Sequence, residues 1–308
     1  MKIGNKRSIY FNLNRIKDFY IVAHRGACAY EIENTIPAFQ KAMEMGANAL
    51  ETDISFTKDN VPVIWHDFNP DDPVAISRQM GLESGKFAIP SVPDIEDENR
   101  KPVPELTLNM LREFCGFKKR GEHEKTLTKI PTVEELMIWA KDQSQLKLIF
   151  FDMKVTEDYL HLIPKMMGEI NKLINQYNPH YRIVFMTPRE KALVEMKKIY
   201  PDLDYTFDVE LPPGILFDEQ DYSSIHIARK FGNTFSSIGL SVIGQLFPWG
   251  TYRRIIKYDS KQKGDIKLFG WTINSEFKIR CLINLGMDGI ITDVPDKLSN
   301  ISKEMICI

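Results

Sequence analysis

Two histidines, His24 and His66, lie on either side of two carboxylates one residue apart, Glu51 and Asp53. Imidazole titrates near neutral pH, so one ring can accept a proton while another donates one. Carboxylate oxygens are the ligands that hard divalent cations prefer in proteins. These residue types, close together in the chain, indicate acid–base chemistry beside a divalent metal ion.

The segments that carry these residues belong to a regular alternation of strands and helices. Short runs rich in Val, Ile, Phe and Tyr predict strands, and several are apolar throughout, as in a parallel sheet buried on both faces. With helical patterns between them, this order predicts an α/β fold, a (β/α)8 TIM barrel. The expected strands are residues 20–24, 49–55, 146–153, 182–187, 204–210, 235–240, 267–273 and 289–293.

The helical patterns have recognisable ends. Asn34 is the expected N-cap of a helix at residues 35–46, and Gly46 its stop. Thr132 is followed three residues later by Glu135, the spacing of a capping box. Further helices are expected at residues 132–142, at 159–177 with a bend or start near Pro164, at 190–200 and at 275–286.

A short segment after the second strand predicts a hairpin. Residues 61–67 have the composition of a strand and follow a turn at residues 59–60. A connection of two residues joins only antiparallel strands. Continuing the pairing from that turn places Asp53 opposite His66, with Glu51 on the same face.

The domain organisation is simple apart from one long segment. We expect a single barrel domain over residues 1–308, with its core at about 20–298. Residues 68–130, rich in proline and charge, interrupt the alternation after the hairpin and predict an insertion or lid. A disordered surface insertion is the alternative. Residues 106–117 within the segment predict a short helix.

Composition limits the class of protein. Hydrophobic residues make up 43% of the chain, charged residues 27%, and the net charge is −2, which disfavours nucleic acid as a partner. The four cysteines are scattered and predict reduced thiols. No apolar run approaches the ~20 residues of a membrane span, and the first residues lack the apolar core of a signal peptide. We therefore expect a cytoplasmic protein without stable membrane insertion.

A barrel would bring the candidate residues together, because the carboxyl ends of its strands meet at one rim. Glu51, Asp53 and Asp152 would form a carboxylate cluster suited to Mg²⁺ or Ca²⁺, whereas zinc usually recruits His or Cys. Arg25 and Lys154 could also neutralise these carboxylates, so the residues alone leave the metal open. The polar or aromatic residues at the predicted strand ends are His24, Arg25, Glu51, Asp53, Asp152, Lys154, Trp271 and Asp293.

Several other residues have a simpler interpretation. A tryptophan such as Trp271 is more often a core residue than part of a ligand site. Cys28 follows Gly26 in a loop with no evident activating partner, so it is not expected to be a nucleophile. The remaining histidines are expected on the surface or in packing roles: His123, His161, His180 and His226.

Taken together, the motifs resemble those of the glycerophosphodiester phosphodiesterase family. The resemblance extends over about residues 20–298 and is specific because the motifs occur in order. They are His24-Arg25-Gly26, Glu33-Asn34-Thr35, Glu51-Thr52-Asp53, TKDN at 57–60, His66-Asp67, Asp152-Met153-Lys154, WTIN at 271–274 and GIITDVPDKL at 289–298.

The resemblance implies a barrel with an insert after the second strand, a divalent metal, and hydrolysis of a small glycerophosphodiester to glycerol 3-phosphate and an alcohol. It also assigns roles to individual residues. Those roles are acid–base catalysis for His24 and His66, metal binding for Glu51, Asp53 and Asp152, and phosphate or substrate binding for Arg25, Lys154 and Trp271.

One departure keeps a second substrate open. Many relatives carry Glu where this chain has Asp152, whereas branches that cleave lysophospholipids carry Asp there. The apolar residues 242–252 could then line a groove for an acyl chain, although ordinary packing is favoured. A non-catalytic binding module is disfavoured because every expected catalytic position is present. Cleavage of nucleic acid is disfavoured by the near-neutral charge.

Overall fold

The computed structural model describes residues 18–211, 222–240 and 249–306, and in this part of the chain the strands are close to those expected. In chain order the strands are β1 (Tyr20–His24), β2 (Ala49–Phe56), β3 (Pro62–Ile64), β4 (Ala88–Ser91), β5 (Gly116–Lys119), β6 (Leu148–Met153), β7 (Arg182–Thr187), β8 (Asp204–Leu211), β9 (Phe235–Leu240), β10 (Lys267–Trp271) and β11 (Gly289–Thr292).

Eight of these strands close into a barrel. They pair in the order β1, β2, β6, β7, β8, β9, β10 and β11, and β11 pairs with β1 to complete the ring. Every pairing in the ring is parallel, so all carboxyl ends meet at the same rim. The predicted (β/α)8 TIM barrel is confirmed.

Helices connect the barrel strands and cover them from outside. The predicted capping box is present at Thr132 and Glu135, and Pro164 lies in the first turn of its helix, where a missing N–H costs nothing. The helices are α1 (Ile36–Glu44), α2 (Pro73–Gln79), α3 (Leu108–Phe114), α4 (Val133–Ala140), α5 (Ile163–Tyr177), α6 (Glu190–Ile199), α7 (Ser224–Lys230), α8 (Trp249–Gln262), α9 (Glu276–Leu285) and α10 (Pro295–Ile306).

The barrel interior changes from apolar to polar along its axis. Val22, Phe150 and Phe269 belong to a fully buried apolar cluster, in which the Phe150 and Phe269 ring centroids are 4.9 Å apart. Side chains alternate between the two faces of a strand, so the next inward position after Val22 is His24, and after Phe150 it is Asp152. The same alternation that fills the core therefore directs polar groups to the carboxyl rim.

The hairpin of β2 and β3 differs from the prediction by one residue in register. The backbone N–H of Trp65 donates to the carbonyl of Asp53 at 3.0 Å, so Trp65 rather than His66 lies opposite Asp53. The turn contains three residues, 58–60, because Asn60 adopts a left-handed conformation with φ 67°. The predicted pairing of Asp53 with His66 is wrong, and His66 lies beyond the end of β3.

Residues 68–130, called the insert below, form a folded unit between β3 and α4. It contains α2, α3 and an antiparallel sheet of β4 and β5. Its apolar cluster packs Phe117 against Trp65, with ring centroids 5.1 Å apart. The two ends of the insert lie side by side, since Val63 forms an antiparallel bridge with Thr132.

Some of the expectations concern residues outside the described part of the chain. Residues 1–17, where no signal peptide is expected, are outside it, as are residues 242–248 of the segment that could line an acyl groove but for which ordinary packing is favoured. Among the helices that are described, none combines the length and the apolar character that crossing a membrane requires.

Candidate active site at the carboxyl rim of the barrel

Three buried carboxylates form the centre of the rim. Glu51 and Asp53 project inward from β2 and Asp152 from β6, and the parallel register pairs Asp53 directly with Asp152. One oxygen from each of the three residues lies within 4.8 Å of the others. These three residues are called the acidic group below, and the structure brings them together as predicted.

The acidic group is electrostatically costly without a cation. Burial and the neighbouring carboxylates Asp53 and Asp152 raise the pKa of Glu51 well above its usual range. Burial alone would also raise the pKa of Asp53, but Lys154 and Arg25 outweigh it and hold that pKa well below its usual range.

The donor atoms of the acidic group fit a divalent metal. Oδ1 of Asp152 is buried and has no hydrogen-bond partner in the described part of the chain, and Oδ1 of Asp53, also buried, has only the ion pair with Nζ of Lys154, 3.0 Å away. Three carboxylates that offer oxygen atoms within one small space match the preference of hard cations such as Mg²⁺ and Ca²⁺. The acidic group can therefore hold such an ion.

His24 ends β1 and is fixed on one side of its ring. Its Nδ1 lies 2.7 Å from Oδ1 of Asp293, and its Nε2 lies 3.8 Å from Oε2 of Glu51 in the acidic group. Burial and the charges of Lys86 and Arg25 lower the pKa of His24, although Asp293 opposes them. These shifts favour the neutral ring, and its Nε2 is directed toward Glu51 of the acidic group.

His66 has a matching arrangement, although it lies in the loop after β3. Its Nδ1 is 2.7 Å from Oδ1 of Asp67. Burial, followed by the charges of Arg78 and Arg25, lowers the pKa of His66 well below its usual value, and the carboxylate of Asp53 opposes this shift. His66 therefore interacts electrostatically with Asp53 of the acidic group, even though the expected hairpin register is wrong.

The two cations expected at the phosphate are engaged with carboxylates. Nε of Arg25 lies 3.0 Å from Asp53, and its NH1 lies 3.2 Å from Glu33. Nζ of Lys154 pairs with Asp53 at 3.0 Å and with Asp152. Both cations reach the acidic group, where they offset part of its negative charge.

The expected N-cap residue serves the site instead. Thr35 caps α1 by accepting from the backbone of Ala38, so the prediction of Asn34 as the cap is wrong. Asn34 has φ 57°, and its side-chain amide donates to Oδ2 of Asp53 at 2.7 Å. Its side-chain oxygen accepts from the hydroxyl of Thr52 at 2.9 Å.

Trp271 and a further carboxylate complete the rim. Trp271 ends β10, and its indole ring lies directly over Gly239 of the neighbouring β9. Asp208 of β8 is buried and accepts a 2.6 Å hydrogen bond from Ser237; burial, followed by the charge of Asp152, raises the pKa of Asp208 to about 7. Sequence reasoning missed Asp208, although its even spacing from Asp204 in β8 was a signal for an inward position.

The insert supplies three charged residues that sequence reasoning also missed. Arg78, Glu83 and Lys86 are the members of the insert that meet the barrel residues of the site. No local pattern marks them, because they lie in α2 and the loop that follows it. Their partners come from distant parts of the chain.

The described part of the chain contains three of the four cysteines. Cys28 is buried, and burial together with Asp293 raises the pKa of its thiol well above the usual value, which agrees with the expectation that it is not a nucleophile. Cys28, Cys115 and Cys281 are free thiols.

The sequence matches the model of the glycerophosphoryl diester phosphodiesterase family over residues 24–297. The chain belongs to this family. It is 26% identical over 285 residues to a glycerophosphodiester phosphodiesterase of Caldanaerobacter subterraneus subsp. tengcongensis, covering 92% of this chain and 98% of that relative. It is 24% identical over 295 residues to a lysophospholipase D of Mus musculus, covering 91% and 84%. Family membership, inferred first from the motifs, is confirmed, and the chain is a phosphodiesterase of the hydrolase class.

Solved structures share the fold. A crystal structure of a protein from Silicibacter pomeroyi DSS-3 superposes with a TM-score of 0.72 at 20% identity, covering 94% of both chains. A phosphodiesterase of Oleispira antarctica, solved in complex with the product sn-glycerol-3-phosphate, superposes with a TM-score of 0.64 at 17% identity. That match covers 93% of this chain and 98% of the other.

Proposed function

We propose that this family member hydrolyses small glycerophosphodiesters to glycerol 3-phosphate and an alcohol, with His24 and His66 as the acid–base pair and a divalent metal at the acidic group. One observation carries the proposal. Nε2 of His24 lies 3.8 Å from Glu51 of the acidic group, His66 interacts electrostatically with Asp53 of that group, and each imidazole has its Nδ1 2.7 Å from an aspartate oxygen. The product in the Oleispira antarctica structure, glycerol 3-phosphate, supports the same reaction.

The two histidines divide the proton transfers. An ionised carboxylate only accepts hydrogen bonds, so Nδ1 of each ring carries the hydrogen and Nε2 has the free lone pair. One Nε2 accepts a proton from the nucleophile as its oxygen bonds to phosphorus, and the other ring, once protonated from solvent, donates to the alkoxide whose bond to phosphorus breaks. Attack by water gives glycerol 3-phosphate directly, whereas attack by a substrate hydroxyl gives a cyclic phosphate, which water then opens to glycerol 3-phosphate. Each such transfer contributes roughly 10²–10⁴-fold to the rate. The phosphodiester anion favours the protonated ring, because it offsets the cations that lower both pKa values.

Charge on the phosphoryl oxygens needs separate stabilisation. Glu51, Asp53 and Asp152 would hold a Mg²⁺ or Ca²⁺ ion, which supplies a Lewis acid at a non-bridging oxygen of the substrate. Lys154 adds positive charge at the edge of the acidic group, with 19% of its side chain exposed. Arg25 is more deeply buried and orders the carboxylates. Trp271 forms the wall of the site above β9.

The test is release of glycerol 3-phosphate from glycerophosphocholine. Activity is expected to disappear with a chelator and to return with Mg²⁺ or Ca²⁺. His24→Ala and His66→Ala are each expected to lower the turnover rate by at least about 10²-fold, since each removes one proton transfer. His123→Ala, which removes an exposed histidine of the insert, is the matched control and should leave the rate unchanged. Full activity of either active-site variant would contradict the proposal.

A lysophospholipid is the second candidate substrate. The lysophospholipase D relatives support it, because they align over most of this chain, and so does Asp152 at the third carboxylate position. We propose headgroup diesters as the preferred class and test it with glycerophosphocholine and lysophosphatidylcholine side by side. A higher kcat/KM for the acylated substrate would favour the second candidate.

A further inference from the structure

Each of the two site histidines is held by an aspartate, and each aspartate is held by a cation of the insert. Nζ of Lys86 lies 2.6 Å from Oδ1 of Asp293, the same oxygen that accepts from His24, and it lies farther, 3.3 Å, from Nδ1 of His24 itself. Nε of Arg78 lies 2.8 Å from Oδ1 of Asp67, the oxygen that accepts from His66. Two chains of the same kind, cation to carboxylate to imidazole, thus run from the insert to the two site histidines, and the chain through His24 reaches Glu51 at 3.8 Å.

The two cations lie close together in the insert and share an anion. Arg78 is in the last turn of α2, Lys86 precedes β4, and Glu83 between them pairs with both. Arg120 holds this stretch in place by donating to three backbone carbonyls, including that of Lys86 at 2.7 Å. Arg78 and Lys86 are both buried. These contacts therefore hold the two cations, Arg78 and Lys86, in place beside the barrel.

The physical role of the cations follows from the chemistry of a buried carboxylate. Burial favours the protonated carboxyl, and a nearby cation favours the ionised form. At Asp293 the charge of Lys86 outweighs burial and lowers the pKa, whereas at Asp67 Arg78 only partly offsets burial and the pKa stays raised. An ionised aspartate accepts from Nδ1–H and leaves Nε2 free, whereas a protonated one can donate to Nδ1 and leave the hydrogen on Nε2. Only the first arrangement gives a ring that accepts a proton at Nε2, the nitrogen that in His24 lies 3.8 Å from Glu51.

We propose that Arg78 and Lys86 are positioning residues, which act through Asp67 and Asp293 to hold the imidazoles of His66 and His24 in the Nδ1–H form. This inference rests on the proposed function, since it deepens the account of the same site. It makes the insert part of the catalytic apparatus, with one cation for each histidine.

The direct test is the ring state of the two histidines. Nitrogen-15 spectra of labelled protein distinguish Nδ1–H from Nε2–H, and His24→Ala and His66→Ala identify the two signals. Wild type is expected to show Nδ1–H in both rings. Lys86→Met should change the signal of His24 alone, and Arg78→Met that of His66 alone.

The kinetic test uses the same variants with a control from the insert. Each is expected to lower kcat on glycerophosphocholine by about 10- to 100-fold, with little change in KM, as for other residues that orient catalytic groups. Arg100→Met is the control, because Arg100 is a buried arginine of the insert that pairs with Asp71, 2.6 Å away, and touches neither histidine pair. A nitrophenol leaving group needs no proton donor. Hydrolysis of a substrate with this group should therefore not be slowed in the variant whose missing cation supports the histidine that acts as the acid.

The outcomes are distinguishable. Unchanged ring signals in Lys86→Met and Arg78→Met, or kinetic losses no larger than that of Arg100→Met, would overturn the inference while the proposed function stood. If wild type failed to release glycerol 3-phosphate, the proposed function would fail, and the ring signals would still decide the positioning role. Lys86→Arg and Arg78→Lys keep the charges and should keep both rings as Nδ1–H; a change in these folded variants would equally contradict the inference.

Discussion

Asn34 both adopts a left-handed backbone conformation and hydrogen-bonds a carboxylate of the acidic group. Its φ of 57° is a left-handed conformation that Asn tolerates better than most residues with a Cβ atom. From that conformation its amide reaches Asp53 in the acidic group, and its oxygen accepts from Thr52. The amide hydrogen bond fixes Oδ2 of Asp53 and so sets the direction of Oδ1, the oxygen that lies 3.0 Å from Nζ of Lys154.

Replacing Asn34 should therefore affect the metal more than the fold. Asn34→Ala is expected to weaken binding of Mg²⁺ or Ca²⁺ by about 10- to 100-fold, because an oriented ligand loses its partner. Asn178→Ala is the matched control, since Asn178 is also left-handed, with φ 41°, but ends α5 away from the site. Both should lose about 1–2 kcal/mol of unfolding free energy. Equal metal affinities in calorimetric titration of the two variants would refute this role.

At the scale of elements, the contact between β9 and β10 depends on a glycine, Gly239, which has no side chain. The register pairs Trp271 with Gly239, and a Cβ atom at Gly239 would lie 2.2 Å from two ring carbons of Trp271. The glycine lets the indole lie flat across the neighbouring strand. The position of Trp271 at the rim is therefore set by the strand beside it.

Gly239→Ala should displace the ring. We expect a loss of about 1–3 kcal/mol in unfolding free energy from overpacking, together with a higher KM for glycerophosphocholine. Gly250→Ala in α8 is the control, because nothing lies within 4 Å of a Cβ added there. That control should be neutral or gain about 0.5–1 kcal/mol. Urea unfolding and tryptophan fluorescence check both variants, and an unshifted spectrum for Gly239→Ala would contradict the packing argument.

Elements were predictable where their signal is local. Each barrel strand is specified by its own apolar run, so the eight strands and the capping box at Thr132 followed from sequence. The hairpin register did not, because it depends on the left-handed backbone of a single residue, Asn60. One such residue adds a third position to the turn and shifts every pair that follows.

At the scale of the whole molecule, buried charges join the insert to the barrel. Burial would raise the pKa of Glu83, but Arg25 and Arg78 outweigh it and leave that pKa lowered. Burial would raise the pKa of Asp293 too, and Lys86 outweighs it there. A carboxylate whose pKa is lower in the folded than in the unfolded protein stabilises the fold at pH values above its unfolded pKa. That contribution is lost as the pH falls through the folded pKa. The junction should therefore weaken in acid.

The pH dependence can be tested with two variants of opposite sign. Glu83→Gln should be less stable than wild type at pH 7 and should lose less unfolding free energy between about pH 7 and about pH 3. Burial raises the pKa of Asp259, which hydrogen-bonds Ser223 and Ser224. The protein therefore loses the stabilising contribution of Asp259 as pH rises above the pKa of this carboxyl in the unfolded chain. Asp259→Asn should accordingly show a steeper loss on acidification. Parallel curves for the two variants in denaturant unfolding would contradict these assignments.

The candidate site was predictable only where the barrel topology dictates proximity. The acidic group could be inferred from sequence because parallel strands bring their carboxyl ends to one rim. Lys86 and Asp293 are 207 positions apart, and no spacing rule relates a loop of the insert to the end of β11. Asp67 was recognised as part of a motif, but its partner Arg78 was not.

The adjacent ends of the insert have an evolutionary consequence. Because Val63 and Thr132 lie side by side, the chain leaves the barrel before residues 68–130 and returns to it after them at nearly the same point on its surface. Such a segment can be exchanged between lineages as a cassette without moving a barrel strand. Each exchange would replace Arg78 and Lys86, the cations of the insert, and would leave His24 and His66 unchanged. The scaffold and the tuning of its reactivity can thus be inherited separately.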